Sequence, residues 1–390
     1  MTMNEQLNNL HSEIIEIRRH FHMYPELSFQ EEKTPAYISE YLRKLDNVAV
    51  REHVGERGVV GIIKGKNAGK TVALRADFDA LALQDEKDVP YKSKVAGVMH
   101  ACAHDAHAAT LLGIAKVLSQ NTDKFDGEVR LIFQHAEEVP PGGAVAMIAD
   151  GCLDGVDAIF ATHLTSKAPL GVYTTRSGYL LANSDTFSIK IHGKGGHGAS
   201  PHETVDAVII TTNIVNNIQQ IVSRRVDPLS QAVISIGKIE AGSAHNIIAD
   251  SALILGTVRT YEAQVQDMIE RDIERIVKAC CESAGATYTF SYKRGYPAVF
   301  NDPEKTAEAI TSLGKITNPD KIIEMKPLMG GEDFGYYTQK VPGTFFFTGC
   351  RNEEKGITGA HHHPKFDIDE DAMLFAGKGL LQITLDYLSM

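Results

Sequence analysis

The chain contains no tryptophan and only five cysteines among 390 residues. Cys102, Cys152, Cys280, Cys281 and Cys350 are an odd number scattered through a long chain, which fits a reducing compartment and not a disulfide framework. No apolar stretch reaches the roughly 18–20 residues that a bilayer-spanning helix needs, so no membrane partner is expected. The N-terminus reads Met1-Thr-Met-Asn-Glu-Gln, continues polar and lacks the basic stretch and apolar run of a secretory signal, so a cytoplasmic location is expected. No basic run is present either. Arg224-Arg225 is only a pair, read as dipole-favoured cations at a helix C-terminus, and the net charge is −11, which excludes a nucleic-acid partner. Internal repeats and low-complexity segments are also lacking. What remains is an ordinary globular composition, 43% hydrophobic and 23% charged. A chain of this length exceeds what one core usually serves, so two domains are expected.

Hydrophobic periodicity gives the organisation. Helices are expected over residues 4–22, 30–45, 107–120, 144–149 and 303–314, and from about 370 to 387. Short apolar runs at 48–51, 58–64, 71–76, 128–134, 157–162 and 344–348 read as strands. Alternation of the two kinds argues for an α/β fold, a mixed sheet flanked by helices. The pattern changes near residue 183. Strands at 186–192, 232–240, 252–260 and 287–292 alternate with long helices at 204–225 and 262–284. That β-α-β-β-α-β order is ferredoxin-like. The expected architecture is therefore a discontinuous catalytic domain, residues 1–182 and 296–390, with an α+β domain inserted at 183–295.

Four clusters carry chemistry. Met99 to His107 holds one thiol, three imidazoles and a carboxylate, and Cys102 and His104 are spaced to project to one side of an extended segment. Thiolate and neutral imidazole are the preferred ligands of zinc-like ions; the alternative is a polar helix start with exposed histidines. Glu137-Glu138 follows the 128–134 strand, and sites in open α/β sheets lie at the carboxyl ends of strands. One carboxylate of such a pair could bind metal while its neighbour holds water, although a solvated loop has the same sequence. His163 closes the apolar run before it. His361-His362-His363-Pro364 lies too far from the terminus to be a tag, and the proline restricts His363 to extended conformations. Three strand ends and a distal histidine cluster delivering such groups together favour a metal site.

With these residues in view, the chain resembles the M20 metallopeptidase superfamily, in its amidohydrolase branch of hippurate hydrolases, aminoacylases and auxin-conjugate hydrolases. The resemblance runs from His20-Phe-His-Met-Tyr-Pro-Glu26 to Pro364-Lys-Phe-Asp-Ile-Asp369. Between them lie Arg75-Ala-Asp77-Phe-Asp79, Cys102-Ala-His104-Asp105, Gln134-His-Ala-Glu137-Glu138, Gly193-Lys-Gly-Gly-His197, Ala244-His-Asn246, Gly256-Thr-Val-Arg259 and Gly330-Gly-Glu332-Asp333-Phe334. It implies Cys102, His104, Glu138, His163 and His362 as ligands of two divalent ions (zinc, manganese, cobalt or nickel) and Glu137 as general acid/base. His362 is selected among its neighbours by the family's His-x-Pro-x-Phe pattern. Asp77 and Asp79 are implied to orient a ligating histidine. Asn246 and Arg259 are implied to hold the substrate's carbonyl and carboxylate. His197 is implied to stabilise the oxyanion, across a homodimer interface that makes the inserted domain both lid and dimerisation surface. The branch usually reads Cys-Gly-His-Asp; Ala103 stands in place of that glycine, and a positive φ there would cost about 1 kcal/mol.

The reaction so implied is hydrolysis of a small N-acyl amino acid, with Glu137 taking a proton from water and passing it to the leaving amine. A dipeptidase or exopeptidase, or an N-acetyl-diaminopimelate deacetylase, would use the same residues. Two readings from other classes are a non-catalytic peptide-binding relative and a thiol hydrolase built on Cys102 and His104, for which no third orienting residue is evident.

Overall fold

The computed structural model describes residues 1–389, which divide into two compact units. The first consists of residues 1–180, 299–327 and the segment from 333 onward; the second consists of Leu181–Ala298 and Leu328–Glu332.

The first unit is built on an eight-stranded mixed sheet. From edge to edge its strands are Val48–Val54, Gly58–Lys64, Glu128–Gln134, Thr71–Asp77, Ala158–Pro169, Gly343–Arg351, Tyr173–Thr175 and Ile322–Glu324. The central four run parallel, with Asp77 opposite Gln134 and Arg75 opposite Ala161. Their carboxyl ends therefore lie along one edge of the sheet. Residues 72–77 are buried throughout, as expected for a parallel strand covered on both faces, which favours a continuous apolar run over alternation.

One cover is the helix His104–Ser119, buried at every position except Lys116. Such a helix must be apolar all round, and Ala106, Ala108, Ala109, Leu111, Leu112 and Ile114 meet that need. Gly113 lets His11–Met23 approach closely: a Cβ there would lie 2.5 Å from Ile14 Cδ1.

Several boundaries differ from expectation. The helix expected over 4–22 is two, Met3–Asn9 and His11–Met23, joined at Leu10. Periodicity runs through the joint because both pieces turn apolar faces, Leu7 and Ile14 among them, to the same core. The strand expected to close at residue 162 continues to Pro169, because Gly343–Arg351 pairs with it along its length. His163 is therefore inside a strand. The helix expected from 107 begins at His104, which puts that imidazole in its first turn.

In the second unit the strands order as Ala232–Ala241, Ser251–Thr260, Asp185–His192 and Thr287–Lys293, all antiparallel. Ala207–Arg224 and Ala263–Ser283 complete the β-α-β-β-α-β order. Ile210, Ile214, Ile218 and Ile221 form a stripe at helical spacing; Val265, Ile269, Ile273 and Val277 form another. Both belong to the core that contains Ile189, Ile191, Ile254 and Val258. Among the described residues no helix is long and apolar enough to cross a membrane.

Candidate metal centre

The carboxyl edge of the parallel strands gathers donors from four separated segments. Cys102 Sγ lies 3.4 Å from His163 Nε2. His104 Nε2 lies 3.8 Å from Glu138 Oε1 and 3.9 Å from Glu137 Oε2. His362 Nε2 is 3.3 Å from Glu138 Oε1. Ligand atoms of Cys102, His104 and His163 fall within 4.8 Å of one another, as do those of Cys102, Glu138 and His362, and those of His104, Glu137 and Glu138. All five residues named as ligands, and Glu137, are thus in one cluster.

The hydrogen bonds fix which imidazole nitrogens face it. His104 Nδ1 sits 3.0 Å from Asp79 O and 3.1 Å from Asp79 Oδ1. Both are acceptors, so Nδ1 carries the proton and Nε2 is turned to the cluster, where it is buried without a hydrogen-bond partner among the described residues. His163 Nδ1 donates to Leu164 O at 2.7 Å, which likewise frees Nε2. Ligating histidines characteristically spend their other nitrogen this way. The three consecutive histidines also separate. His361 Nε2 accepts from Ser166 N and His363 Nδ1 accepts from Lys365 N, whereas His362 faces Glu138.

Charge in the cluster is unbalanced towards anions. Burial, and then Glu138, Glu137 and Asp77, hold the Cys102 thiol well above its usual range. A thiol so held is a poor nucleophile, which argues against the thiol hydrolase; a cation reverses the effect by favouring thiolate. Burial opposes charge on His104, but Asp77, Asp79 and Glu138 outweigh it and raise the imidazole to about 10. Burial, His107 and His361 hold His163 well below its usual range. An orphaned buried imidazole nitrogen, a neutral imidazole, a thiol and paired carboxylates are the donor set that borderline divalent ions take.

Asp79 spans the site. Its Oδ1 meets His104, and its Oδ2 accepts from Glu138 N at 2.9 Å and from Ser28 Oγ at 2.7 Å. Asp77 lies 3.8 Å from His104 Nε2 and acts on it by charge, while its hydrogen bonds go elsewhere. Its Oδ1 meets His107 Nδ1 at 2.6 Å, and Arg75 Nη1 donates to its Oδ2. His107 Nε2 then accepts from Leu164 N at 2.9 Å, fixing the backbone beside His163.

The sequence did not single out His107 for this, nor the buried network below it. Arg18 donates to Asp105 and Asp367, and His22 Nδ1 lies 2.7 Å from Asp105. Lys87 Nζ donates to Phe366 O at 2.8 Å. The network links the residue after His104 to the segment following His362. One signal was legible: Arg18 and His22 are i, i+4 on a face with Ile14 and Phe21, and a cation on an apolar face needs a buried anion.

Three residues at the ligand turns adopt left-handed backbone although they carry a Cβ: Ala103 (φ 67°), Ala136 (φ 51°) and His362 (φ 59°). Such strain concentrates at functional sites. Ala103 has no exposed surface. Glycine there would relieve about 1–2 kcal/mol of left-handed strain but lose a buried methyl worth about 0.8 kcal/mol. Ala103→Gly should therefore leave stability within about 1 kcal/mol of the parent, whereas Ala103→Val adds branching and overpacking and should cost about 2–4 kcal/mol. Urea denaturation of the two variants checks this.

His197, Asn246 and Arg259 belong to the second unit. His197 pairs with Ile247, and Asn246 O accepts from Gly198 N at 2.9 Å, so these two segments adjoin. Arg259 is half-buried on the Ser251–Thr260 strand, where Nη1 donates to Val258 O at 3.0 Å.

The Peptidase family M20/M25/M40 model matches residues 73–385. The chain is 46% identical over 380 residues to thermostable carboxypeptidase 1 of Saccharolobus solfataricus, covering 96% of each chain. It is 44% identical over 298 residues to an N-acyl-L-amino acid amidohydrolase of Geobacillus stearothermophilus, covering 76% of this chain and 80% of that one. Among solved structures, the Bacillus subtilis YXEP protein, a dinuclear metal binding peptidase from the M20 family, superposes with a TM-score of 0.85 at 32% identity, covering 98% of this chain and 99% of that one. The protein is a metal-dependent amidohydrolase, and it belongs to peptidase family M20/M25/M40.

Proposed function

We propose that this enzyme hydrolyses N-acyl amino acids to a carboxylic acid and a free amino acid. The observation that carries the reading is the convergence of Cys102, His104, Glu138, His163 and His362 around Glu137. Those five would hold two divalent ions, drawn from zinc, manganese, cobalt and nickel. Bound there, the ions supply Lewis acidity to the amide carbonyl and to water.

The protein's own groups do the rest. Glu137 is 8% exposed at the cluster and receives the proton of the attacking water, then delivers it to the leaving amine. His197 Nδ1 accepts from Ala199 N at 3.0 Å. Its neutral form therefore carries the proton on Nε2, the donor needed for an oxyanion. Arg259 spends Nη1 on the carbonyls of Val258 and Asp185, and its Nε and Nη2 edge suits a carboxylate. Asn246 is assigned to the substrate carbonyl. We assign the second unit, residues 183–295 in the sequence-based division, to closing over substrate and to forming a homodimer, in a cytoplasmic enzyme.

A second reading has specific support, from the similarity to a carboxypeptidase. N-acyl amino acids and peptide C-termini share a carboxylate next to the scissile amide. Release of free amino acid from N-acetyl and N-benzoyl amino acids, measured beside unblocked dipeptides with protein loaded with each metal, separates them. The proposal predicts preference for the N-acylated series. Preference for unblocked dipeptides would establish the peptidase.

A further inference from the structure

Glu31 is a buried acid that the chemistry above does not use. It lies in the loop before the Lys33–Arg43 helix, with no exposed surface. Its Oε1 accepts a 2.8 Å hydrogen bond from the backbone N–H of Ala136. Its own carbonyl accepts from Arg57 Nη1 at 2.8 Å, which anchors the loop from the other side.

Ala136 immediately precedes Glu137 and holds φ at 51°. Left-handed backbone at a residue with a Cβ persists only where its surroundings impose it. Here the constraints can be named. Gln134 Nε2 donates to His135 O at 3.2 Å, Gly143 N donates to Ala136 O at 3.1 Å, and Glu138 N donates to Asp79 Oδ2. Gly143 must be glycine, since a Cβ would meet His135 O at 2.1 Å. The Ala136 N–H is a further donor of this turn, at a buried residue, and Glu31 accepts from it. Without that acceptor the N–H would be an unsatisfied buried donor, and Ala136 could relax to right-handed backbone. That rotation would swing the Glu137 side chain.

We infer that Glu31 is a positioning residue, whose carboxyl oxygen holds Ala136 in its left-handed conformation and thereby aims Glu137. This rests on the assignment of Glu137 as the proton carrier. The role needs an acceptor and not a charge. Burial, and then Asp79, raise Glu31 to about 8, and a protonated carboxyl still accepts at its carbonyl oxygen.

The test uses full-length, metal-loaded protein and the best N-acyl amino acid substrate of the screen above. Glu31→Gln keeps the acceptor and should retain kcat within about threefold. Glu31→Leu removes it and should lower kcat about 10- to 100-fold, the scale of a misplacement near 1 Å. KM should stay within about threefold and metal content should be unchanged. Glu31→Asp withdraws the acceptor by one methylene and should shift kcat in the same direction, which keeps the test open if the leucine variant fails to fold. Parent-like kcat in Glu31→Asp and in folded Glu31→Leu, or a Gln variant as slow as the Leu variant, overturns the inference. Glu137→Gln is assayed alongside. If it is inactive while Glu31→Leu is normal, only the Glu31 role fails; if it is active, the Glu137 assignment fails and this inference with it.

Discussion

Glu137→Gln should lower kcat by about 10²- to 10⁴-fold, the range general acid–base catalysis contributes, with metal content unchanged. The substitution preserves size and hydrogen-bonding reach but cannot take a proton. Glu137 Oε2 stands 3.9 Å from His104 Nε2, while the adjacent Glu138 faces both His104 and His362. The two acids of one turn thus face different duties. Glu138 is the better placed to be a ligand and Glu137 to move a proton. Steady-state kinetics on the loaded variant, with metal content measured on the same sample, separate loss of base from loss of metal. Retention of more than about a tenth of parent kcat would remove Glu137 from proton transfer.

Removing the metal should have the other large effect. Chelation is expected to abolish turnover, and adding back divalent ion to restore it. A thiol hydrolase would survive the same treatment. Stability should fall as well, because the ions bind the folded chain and not the unfolded one. At free metal about 100-fold above Kd, each site contributes about 2.7 kcal/mol. Without the ions, the carboxylates of Glu137 and Glu138 crowd one side of the site beside His104 and His362, while Arg75 and His107 engage Asp77. Thermal unfolding with and without chelator should show the drop. Affinity should weaken as pH falls, since Cys102 and the imidazoles must shed protons to ligate.

Much of this was legible in the sequence, for a physical reason. Parallel strands buried on both faces leave continuous apolar runs, and the one at 128–134 led directly to Glu137-Glu138. The two stripes of isoleucine and valine in the second unit were equally plain. What failed was local punctuation decided by distant partners. The apolar run before His163 ends in sequence, but pairing with Gly343–Arg351 carries the strand on to Pro169. Glu31 is an ordinary loop acid until Ala136, 105 residues later, is placed against it. Which of three adjacent histidines faces Glu138 likewise depends on Ser166 and Lys365 engaging the other two. Ala103 is the converse case. Its exchange for the usual glycine raised the question of positive φ, and the backbone does adopt it.

The proposed centre holds two cations beside Glu137 with five side chains drawn from four segments. Anomalous diffraction from crystals of the zinc-loaded enzyme tests it most directly. Two peaks are expected, each about 2.0–2.3 Å from its ligand atoms, drawn from Cys102 Sγ, the Nε2 atoms of His104, His163 and His362, and the Glu138 carboxylate. A single peak, or peaks bound by other residues, would contradict it.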